Sequence, residues 1–320
     1  MSPYLRAQRL VDVGGRRLNM YCSGQGSPVV ILDSGLGGTT EDWYRIQPAI
    51  AKRTRVCSYD RAGMGFSDGT KARRDPNAVV VDLHTLLKRA NIAPPYVLVG
   101  HSIAGLYEPL YADRYPGEVA GMVLVDPSRP FQQQRFTSAA PTLVREWGKT
   151  FSAARRCYAS LSGNTHGAQE QRDCGFLTPL EAQRLCQAGG PQICAVIKLQ
   201  DRQTHNPMYW YDSLSELDSV WGGGGGSREV QRAQRSYGSM PLIVLTADDG
   251  PNHGRGLPSN VPSSQLSAQW TAWKDMHDQL AGYSSVGVNF VVPNTGHYIH
   301  QDQPSAVISA IDEVIAQIRR

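Results

Sequence analysis

Residues 96–107, YVLVGHSIAGLY, contain a serine in surroundings typical of a nucleophile. The apolar run YVLV predicts a buried strand that ends just before Ser102, and a helical pattern that includes Leu106 follows it. In a strand–turn–helix elbow of this kind, the serine sits in a strained backbone conformation that exposes its hydroxyl. Small residues must flank the serine because the helix packs closely on the strand, and Gly100 and Gly105 meet this requirement. We therefore predict that Ser102 is a nucleophile.

A serine nucleophile needs a base, and we predict His297 for this role. His297 lies in VVPNTGHYIHQDQP, after the last predicted strand and before the C-terminal helix. The nearest alternative is His300, three residues further on. His101 directly precedes the serine, where the geometry points it away, and His277 shares a helical face with two tryptophans, which is typical of a packed core.

The base in turn needs a carboxylate that fixes its tautomer and stabilises the imidazolium. Asp126 ends the strand after the serine in VLVDPSRP, and Asp248 and Asp249 end the next strand in VLTADDG. We favour Asp126, which lies one crossover and 24 residues after Ser102. Asp248 and Asp249 stay as alternatives, because both strand ends can reach the histidine.

An attacked carbonyl needs two backbone N–H donors for its oxyanion. Ile103, the residue after the serine, supplies one. The glycine-rich turn LDSGLGGTTEDW, residues 32–43, follows an earlier predicted strand and offers Leu36 as the second. These glycines could instead serve only the turn. Their place at the carboxyl edge of a buried strand, where ligands bind in such sheets, favours a binding role.

Strands alternating with helices must position these residues. The alternating run 16–22 predicts a half-buried strand. Near-continuous apolar runs predict parallel strands that are buried on both faces, at 29–35, 55–60, 96–101, 121–126, 242–248 and 288–293. Amphipathic helical patterns lie between several of these runs and follow the last one. This alternation predicts an α/β fold with a doubly wound, mostly parallel sheet.

The alternation breaks between the two halves of this pattern, in a polar and aromatic stretch. We predict a core made of residues 1–127 and 240–320, with a helical cap inserted at 128–239. Within the cap, GGGGGS at 222–227 predicts a flexible linker, whether natural or introduced in place of a disordered loop.

Aromatic residues are concentrated in NPMYWYD at 206–212. They form either a small core of the cap itself or the roof of an apolar pocket over Ser102. On the second interpretation Tyr209 and Trp210 are pocket residues, and Tyr298, beside the predicted base, is a third candidate.

The six cysteines favour disulfide bonds and an oxidising compartment, because their number is even and four fall within 38 residues. They are Cys22, Cys57, Cys157, Cys174, Cys186 and Cys194. A zinc site is disfavoured, since there is no C-x-x-C pair and no histidine at ligand spacing. Reduced cysteines in a cytosolic protein are the alternative.

Charge and hydropathy narrow the possible partners. The net charge is +4, but no dense Lys/Arg cluster occurs, so we do not expect a nucleic acid partner. No apolar run approaches the ~18 residues that span a bilayer. The N-terminus has no apolar signal-peptide region. Together with the cysteines, this predicts a periplasmic or secreted protein whose export signal has been removed, with the cytoplasm as the alternative.

These segments together resemble the α/β-hydrolase superfamily, and in particular its bacterial exported or periplasmic hydrolases. DSGLGGTTEDW, VCSYDRAGMGFSD, YVLVGHSIAGLY, GMVLVDPS and NTGHYIHQDQP occur in the family's order, over residues 8–126 and 240–318. The resemblance implies the same roles for Ser102, His297, Leu36 and Ile103, and it leaves the acid open. Many relatives read S-x-G-G at the elbow, where this chain has SIAG. Relatives with aspartate in place of the serine are dehalogenases and epoxide hydrolases, and Ser102 argues against both.

The fold named by this resemblance also implies one disulfide bond. The strands that carry Cys22 and Cys57 are neighbours in it, so we expect a bridge between them. In the cap, Cys157–Cys174 and Cys186–Cys194 are the pairs that close the shortest loops.

The sequence therefore predicts a serine hydrolase of carboxylic esters that works through an acyl-enzyme. It would act on a small-molecule or oligomeric ester without a metal or an organic cofactor. The alternatives are an acyltransferase, an amide or lactone hydrolase with the same residues, or a catalytically inactive binding module on the same fold.

Overall fold

A mixed sheet of eight strands forms the centre of the computed structural model, which describes residues 2–163, 174, 179–221, 225–233, 236–248 and 260–320. The strands are β1 (Arg9–Asp12), β2 (Arg17–Ser23), β3 (Val29–Asp33), β4 (Val56–Tyr59), β5 (Tyr96–His101), β6 (Val119–Val125), β7 (Leu242–Ala247) and β8 (Val288–Val292). They lie side by side in the order β1-β2-β4-β3-β5-β6-β7-β8.

Strands β3 to β8 are parallel to one another, and β2 runs antiparallel to both β1 and β4. The seven runs predicted as strands correspond to β2 through β8, and the predicted α/β fold is confirmed. Strand β1 was not predicted from the sequence. Only Val11 of its four residues is buried, so it carries neither an apolar run nor a clear alternation.

Helices cover both faces of the sheet. They are α1 (Gln47–Ile50), α2 (Pro76–Arg89), α3 (Ala104–Arg114), α4 (Gln132–Ala139), α5 (Pro141–Gly163), α6 (Pro179–Thr204), α7 (Pro207–Val220), α8 (Gly225–Ala233), α9 (Ser263–Ala281), α10 (Ile299–Asp302) and α11 (Pro304–Arg319). Short 3₁₀ helices span Ser2–Leu5 and Thr40–Trp43.

Two apolar cores explain why the central strands are apolar at nearly every position. Ile31 and Leu98 pack into the core on the side of α2 and α3. Their neighbours in sequence, such as Val30 and Val97, point to the opposite face and pack with α1 and α11. Successive strand residues face opposite sides, so a strand covered on both sides needs apolar residues throughout.

Helices α4 to α8 lie between β6 and β7 in the chain, within residues 128–239, which we call the inserted segment. The predicted flexible linker at 222–227 is wrong in part, because residues 225–227 form the start of α8. A Cβ atom on Gly226 would lie 2.7 Å from Pro76 Cδ and from the Ser219 carbonyl. Glycine at this position therefore permits close packing. Residues 222–224 lie outside the described part of the chain.

All six cysteines are paired, and the pairs are those expected from the sequence. Cys22–Cys57 joins the neighbouring strands β2 and β4, and Cys157–Cys174 and Cys186–Cys194 both lie in the inserted segment. Among the described residues, no helix combines the length and the apolar character that a membrane crossing requires.

Candidate active site

Ser102 occupies a tight turn between β5 and α3. Its φ angle is +54°, in the left-handed region that non-glycine residues rarely adopt. Its N–H donates to the Val125 carbonyl at 3.1 Å, and its own carbonyl accepts from the N–H groups of Gly105 and Ser128 at 2.8 and 2.7 Å. A side chain at Gly105 would collide with Pro127. The strained turn is thus held by the next strand, and glycine at 105 lets the chain after β6 approach it.

A continuous series of hydrogen bonds joins three side chains that the sequence singled out. His297 Nε2 lies 2.9 Å from Ser102 Oγ, and His297 Nδ1 lies 2.7 Å from Asp126 Oδ2. The other carboxylate oxygen of Asp126 accepts from the backbone N–H of Ala247 at 3.0 Å and from the indole N–H of Trp273 at 2.9 Å. Both ring nitrogens of the imidazole therefore have partners.

Asp126 is completely buried, and burial by itself disfavours its charged form. The hydrogen bond and charge of His297, with further help from its other neighbours, outweigh this effect and hold the pKa of Asp126 below its ordinary value. The buried carboxylate is therefore ionised, as an anion that orients an imidazole must be.

Asp248, the alternative carboxylate, follows β7 but does not contact the imidazole. Its two oxygens accept from the backbone N–H groups of Asn294 and Thr295, at 2.7 and 3.1 Å. It therefore holds the loop that leads to His297. Asp249 lies outside the described residues.

The glycine-rich turn after β3 is held by a buried arginine that the sequence analysis did not assign to the site. The guanidinium of Arg61 donates to the carbonyls of Ser34 and Gly35, both at 2.6 Å. In a trans peptide the C=O and N–H groups point in opposite directions. By holding the Gly35 carbonyl, Arg61 turns the N–H of Leu36 to the far side of that peptide.

The inserted segment supports Arg61 and also reaches this turn directly. Glu216 on α7 accepts from Arg61 Nε at 3.0 Å, and Asp33 at the end of β3 accepts from another guanidinium nitrogen at 2.5 Å. From α6, the Gln203 amide donates to the Gly37 carbonyl at 3.0 Å, and its oxygen accepts from the N–H of Gly65 at 2.8 Å.

A third buried carboxyl group completes this cluster behind the turn. Glu108 on α3 is completely buried. Burial, and then the nearby Asp33 carboxylate, raise the pKa of Glu108 well above its ordinary value. Burial raises the pKa of Asp33 as well, but Asp33 pairs with Arg61, so Glu108 is the member of this pair that favours a proton. The sequence signal was the DRAG motif at 60–63, which the resemblance includes without giving it a role.

The other predicted N–H donor, that of Ile103, lies immediately before α3. The first N–H groups of a helix have no acceptor within it, and the helix dipole adds partial positive charge there. Ser102 thus stands where backbone donors and the dipole favour a developing negative charge.

A cavity of about 960 Å³ opens over Ser102 and His297. Leu36, Ile103, Tyr209 and Tyr298 line it, as does part of the inserted segment.

Of the aromatic residues in NPMYWYD, Tyr209 reaches the cavity, while Trp210 and Tyr211 do not line it. Trp210 donates its indole N–H to the Thr204 carbonyl at 2.7 Å, and Tyr211 donates its hydroxyl to the Lys71 carbonyl at 2.7 Å. These residues lie on helix α7, so they cannot all face one side. The prediction of Trp210 as a pocket residue is therefore wrong.

The remaining histidines near the site do not contact the serine hydroxyl. His101 is buried behind His297, with Nε2 2.9 Å from the His297 carbonyl, and burial lowers its pKa well below the ordinary value. His277 is completely buried and packs against Trp273. His300 is completely buried beside Trp43. In the described part of the chain, no cluster of His, Cys, Asp and Glu has an arrangement that could hold a metal ion.

Comparisons with known proteins agree with this fold. Residues 28–185 match the family model described as "alpha/beta hydrolase fold". The chain is 33% identical to the uncharacterized protein YqjL of Bacillus subtilis, over 91% of this chain and 85% of that protein. It is 32% identical to the putative carbamate hydrolase RutD of Klebsiella pneumoniae, over 75% of this chain and 82% of that protein. The crystal structure of the enol-lactonase from Burkholderia xenovorans LB400 is similar, with a TM-score of 0.61, 18% identity and coverage of 96% and 100%.

Proposed function

The chain belongs to the α/β-hydrolase superfamily, and from this premise we propose that it is a serine hydrolase of carboxylic esters. The observation that carries the proposal is the hydrogen-bonded series Ser102–His297–Asp126, with distances of 2.9 and 2.7 Å.

In the proposed reaction, Ser102 Oγ attacks the ester carbonyl while His297 Nε2 accepts the hydroxyl proton. Asp126 keeps the other ring nitrogen protonated and stabilises the imidazolium. The oxyanion accepts hydrogen bonds from the N–H groups of Leu36 and Ile103. His297 then gives its proton to the leaving alcohol, and an acyl-enzyme remains on Ser102. Water, activated by the same histidine, releases the acid.

The inserted segment takes the role of a cap in this proposal. Its residues line the cavity over Ser102, and Gln203 and Glu216 connect it to the turn that carries Leu36. Carbamates and lactones present a similar carbonyl, and similar proteins bear those names, so both belong in the substrate panel beside esters.

The test is Ser102→Ala. We expect kcat for activated esters to fall by roughly 10⁴–10⁶ while the melting temperature stays close to that of the wild type. A fluorophosphonate probe should label the wild type and not the variant. Retention of activity within tenfold would exclude the proposed nucleophile, and a wild type that binds the probe covalently would argue against an inactive binding module.

We also propose that the protein works outside the cytoplasm, as an exported hydrolase. Three disulfide bonds support this, because such bonds persist in oxidising compartments. Thiol titration of the denatured, unreduced protein should find no free thiols. Six free thiols would contradict the proposal and indicate a cytosolic protein.

A further inference from the structure

The cavity over Ser102 has two unlike walls, and the first is aromatic. Phe136 packs against Trp147 with ring centroids 5.7 Å apart, and against Trp273 at 5.3 Å. Trp221 continues the wall, 5.8 Å from Trp147 and 5.4 Å from Phe151. All five rings line the cavity. Phe136 and Trp273 are almost completely buried and back the wall, while the half-buried Trp147, Phe151 and Trp221 offer most of its contact surface. Such a wall removes a large apolar group from water, which contributes about 25 cal/mol for each Å² buried.

The second wall carries carboxamides. Gln200 on α6 and Gln301 on α10 line the main cavity and also an adjoining cavity of about 460 Å³. Gln200 is exposed and Gln301 is half-buried, and among the described residues neither carboxamide hydrogen-bonds to a protein group, so both can turn toward a ligand in the cavity. A carboxamide both donates and accepts, so the pair matches hydroxyl groups, which do the same.

The charges on the lining disfavour anions. The described residues that line the main cavity include Asp42 and Asp201 and no lysine or arginine. Burial raises the pKa of Asp42 to about 7, so its negative charge is partial near neutral pH. Along the described lining of the adjoining cavity a single cation, Arg45, stands among three carboxyl groups, those of Glu41, Asp42 and Asp302. Carboxyl groups thus outnumber cations along both linings, which disfavours a substrate carboxylate.

The position of His297 indicates which part of a substrate meets which wall. Gln301 lies on the short helix α10, which begins two residues after His297, and both residues line the main cavity. The proposed mechanism delivers the proton of His297 to the leaving alcohol. The alcohol therefore lies on the carboxamide side, and the acyl group lies against the aromatic wall.

We propose that the physiological substrate is an uncharged ester of a bulky aromatic or apolar acid with a hydroxylated alcohol. This inference rests on the proposed serine hydrolase activity. It names the substrate class: the aromatic wall takes the acyl group, and Gln200 and Gln301 bind hydroxyls of the alcohol. A site with hydrogen-bonding groups rejects analogues that leave those groups unpaired.

The test compares four esters by kcat/KM on the wild type. The glycerol ester of phenylacetic acid is the reference. The others are propyl phenylacetate, the glycerol ester of acetic acid, and the phenylacetic ester of glycolate, which carries a negative charge. We expect the reference to exceed each of the others at least tenfold. Equal values for the glycerol and propyl esters would overturn the proposal, as would preference for the anionic ester. A fifth ester, benzyl glycerate, carries the aromatic group on the alcohol and the hydroxyl groups on the acid. Preference for it over the reference would overturn the assigned orientation.

Variants locate the preference within the cavity. Gln200→Leu and Gln301→Leu should each reduce the glycerol-to-propyl ratio at least threefold, and Phe151→Ala should reduce the phenylacetyl-to-acetyl ratio. Gln187→Leu is the matched control, because Gln187 is an exposed glutamine of the same inserted segment, before the kink at Gly190 that separates it from Gln200, and does not line the cavity. A ratio that none of the three cavity variants changes would contradict the proposal. If Ser102→Ala kept the activity, the proposed function would fail instead, whatever the ratios.

Discussion

The sheet core and the inserted segment contribute to the same site in different ways. In the core, Ser102, Asp126 and His297 each follow the carboxyl end of a parallel strand, so the sheet itself brings them together. The inserted segment supplies much of the cavity wall and, through Gln203 and Glu216, contacts that hold the glycine-rich turn indirectly. The sheet sets the arrangement of the three side chains, and the inserted segment sets their surroundings.

The difference has a physical basis in how each region is held. The central strands are fully buried between two apolar cores, which permits little displacement of the strand ends. The helices of the inserted segment are held by aromatic contacts, two disulfide bonds and the buried ion pair between Glu216 and Arg61. Substitutions in the two regions should therefore separate the reaction from substrate choice.

The largest effect should come from the carboxylate at the end of β6. Asp126→Asn keeps the shape but removes the charge that fixes the tautomer of His297, at a cost of about 10⁴ in kcat. Asp248→Asn should cost less than tenfold, because the hydrogen bonds of Asp248 within the described part of the chain go to backbone N–H groups before the histidine and not to its ring. The measurement is kcat for one activated ester, with circular dichroism to check folding.

A loss of comparable size in both variants would mean that the loop held by Asp248 matters as much as the charge beside the imidazole. A large loss confined to Asp249→Asn would identify Asp249, which follows β7, as the acid in place of Asp126.

The site residues of the core could be predicted because each follows a strand whose apolar run is visible in the sequence. An apolar run, a small-residue elbow and a helix start identify Ser102 within a dozen residues. The choice of Asp126 over Asp248 depended on spatial reach, and both aspartates follow apolar runs, so the sequence kept them as alternatives.

Residues that act across long sequence distances could not be predicted in this way. Arg61 and Glu216 are 155 residues apart, and neither lies in a pattern that indicates its partner. Trp210 was wrongly placed in the pocket because packing decides which face of a helix in the inserted segment points to the cavity. No local sequence pattern reveals that packing. Tyr209, its neighbour on the same helix, does line the cavity.

A smaller effect should test the link between the two regions. Arg61→Lys keeps the charge, but a lysine cannot donate in a fixed fork to Asp33, Glu216 and the turn at once. The Leu36 N–H should lose its orientation, and kcat should fall about 10- to 100-fold, somewhat less than for complete loss of an oxyanion donor. KM should change little, and a boronic acid inhibitor should bind correspondingly more weakly.

Arg74→Lys is the matched control. Arg74 is also buried, and it pairs with Asp82 at 2.8 Å, away from the turn. Both variants should lose thermal stability, but only Arg61→Lys should lose kcat. Equal losses of kcat would show that replacing either buried arginine lowers activity only by destabilising the fold. Arg61 would then have no specific role in positioning the turn.

The last effect is on stability and not on the rate of reaction, and it concerns the buried carboxyl group behind the turn. The folded state raises the pKa of Glu108 well above 4.5, so between 4.5 and the raised value it holds a proton that the unfolded chain releases. The stability from this proton is complete below pH 4.5 and is lost as the pH rises.

Glu108→Gln mimics the protonated acid and does not titrate. Its free energy of unfolding, relative to the wild type, should therefore rise between pH 5 and pH 9, by at most about 1.4 kcal/mol per pH unit. Urea unfolding at several pH values measures this, with Glu313→Gln as the control at an exposed position of α11. Parallel pH profiles for Glu108→Gln and the wild type would mean that Glu108 is not the proton-binding member of the buried cluster.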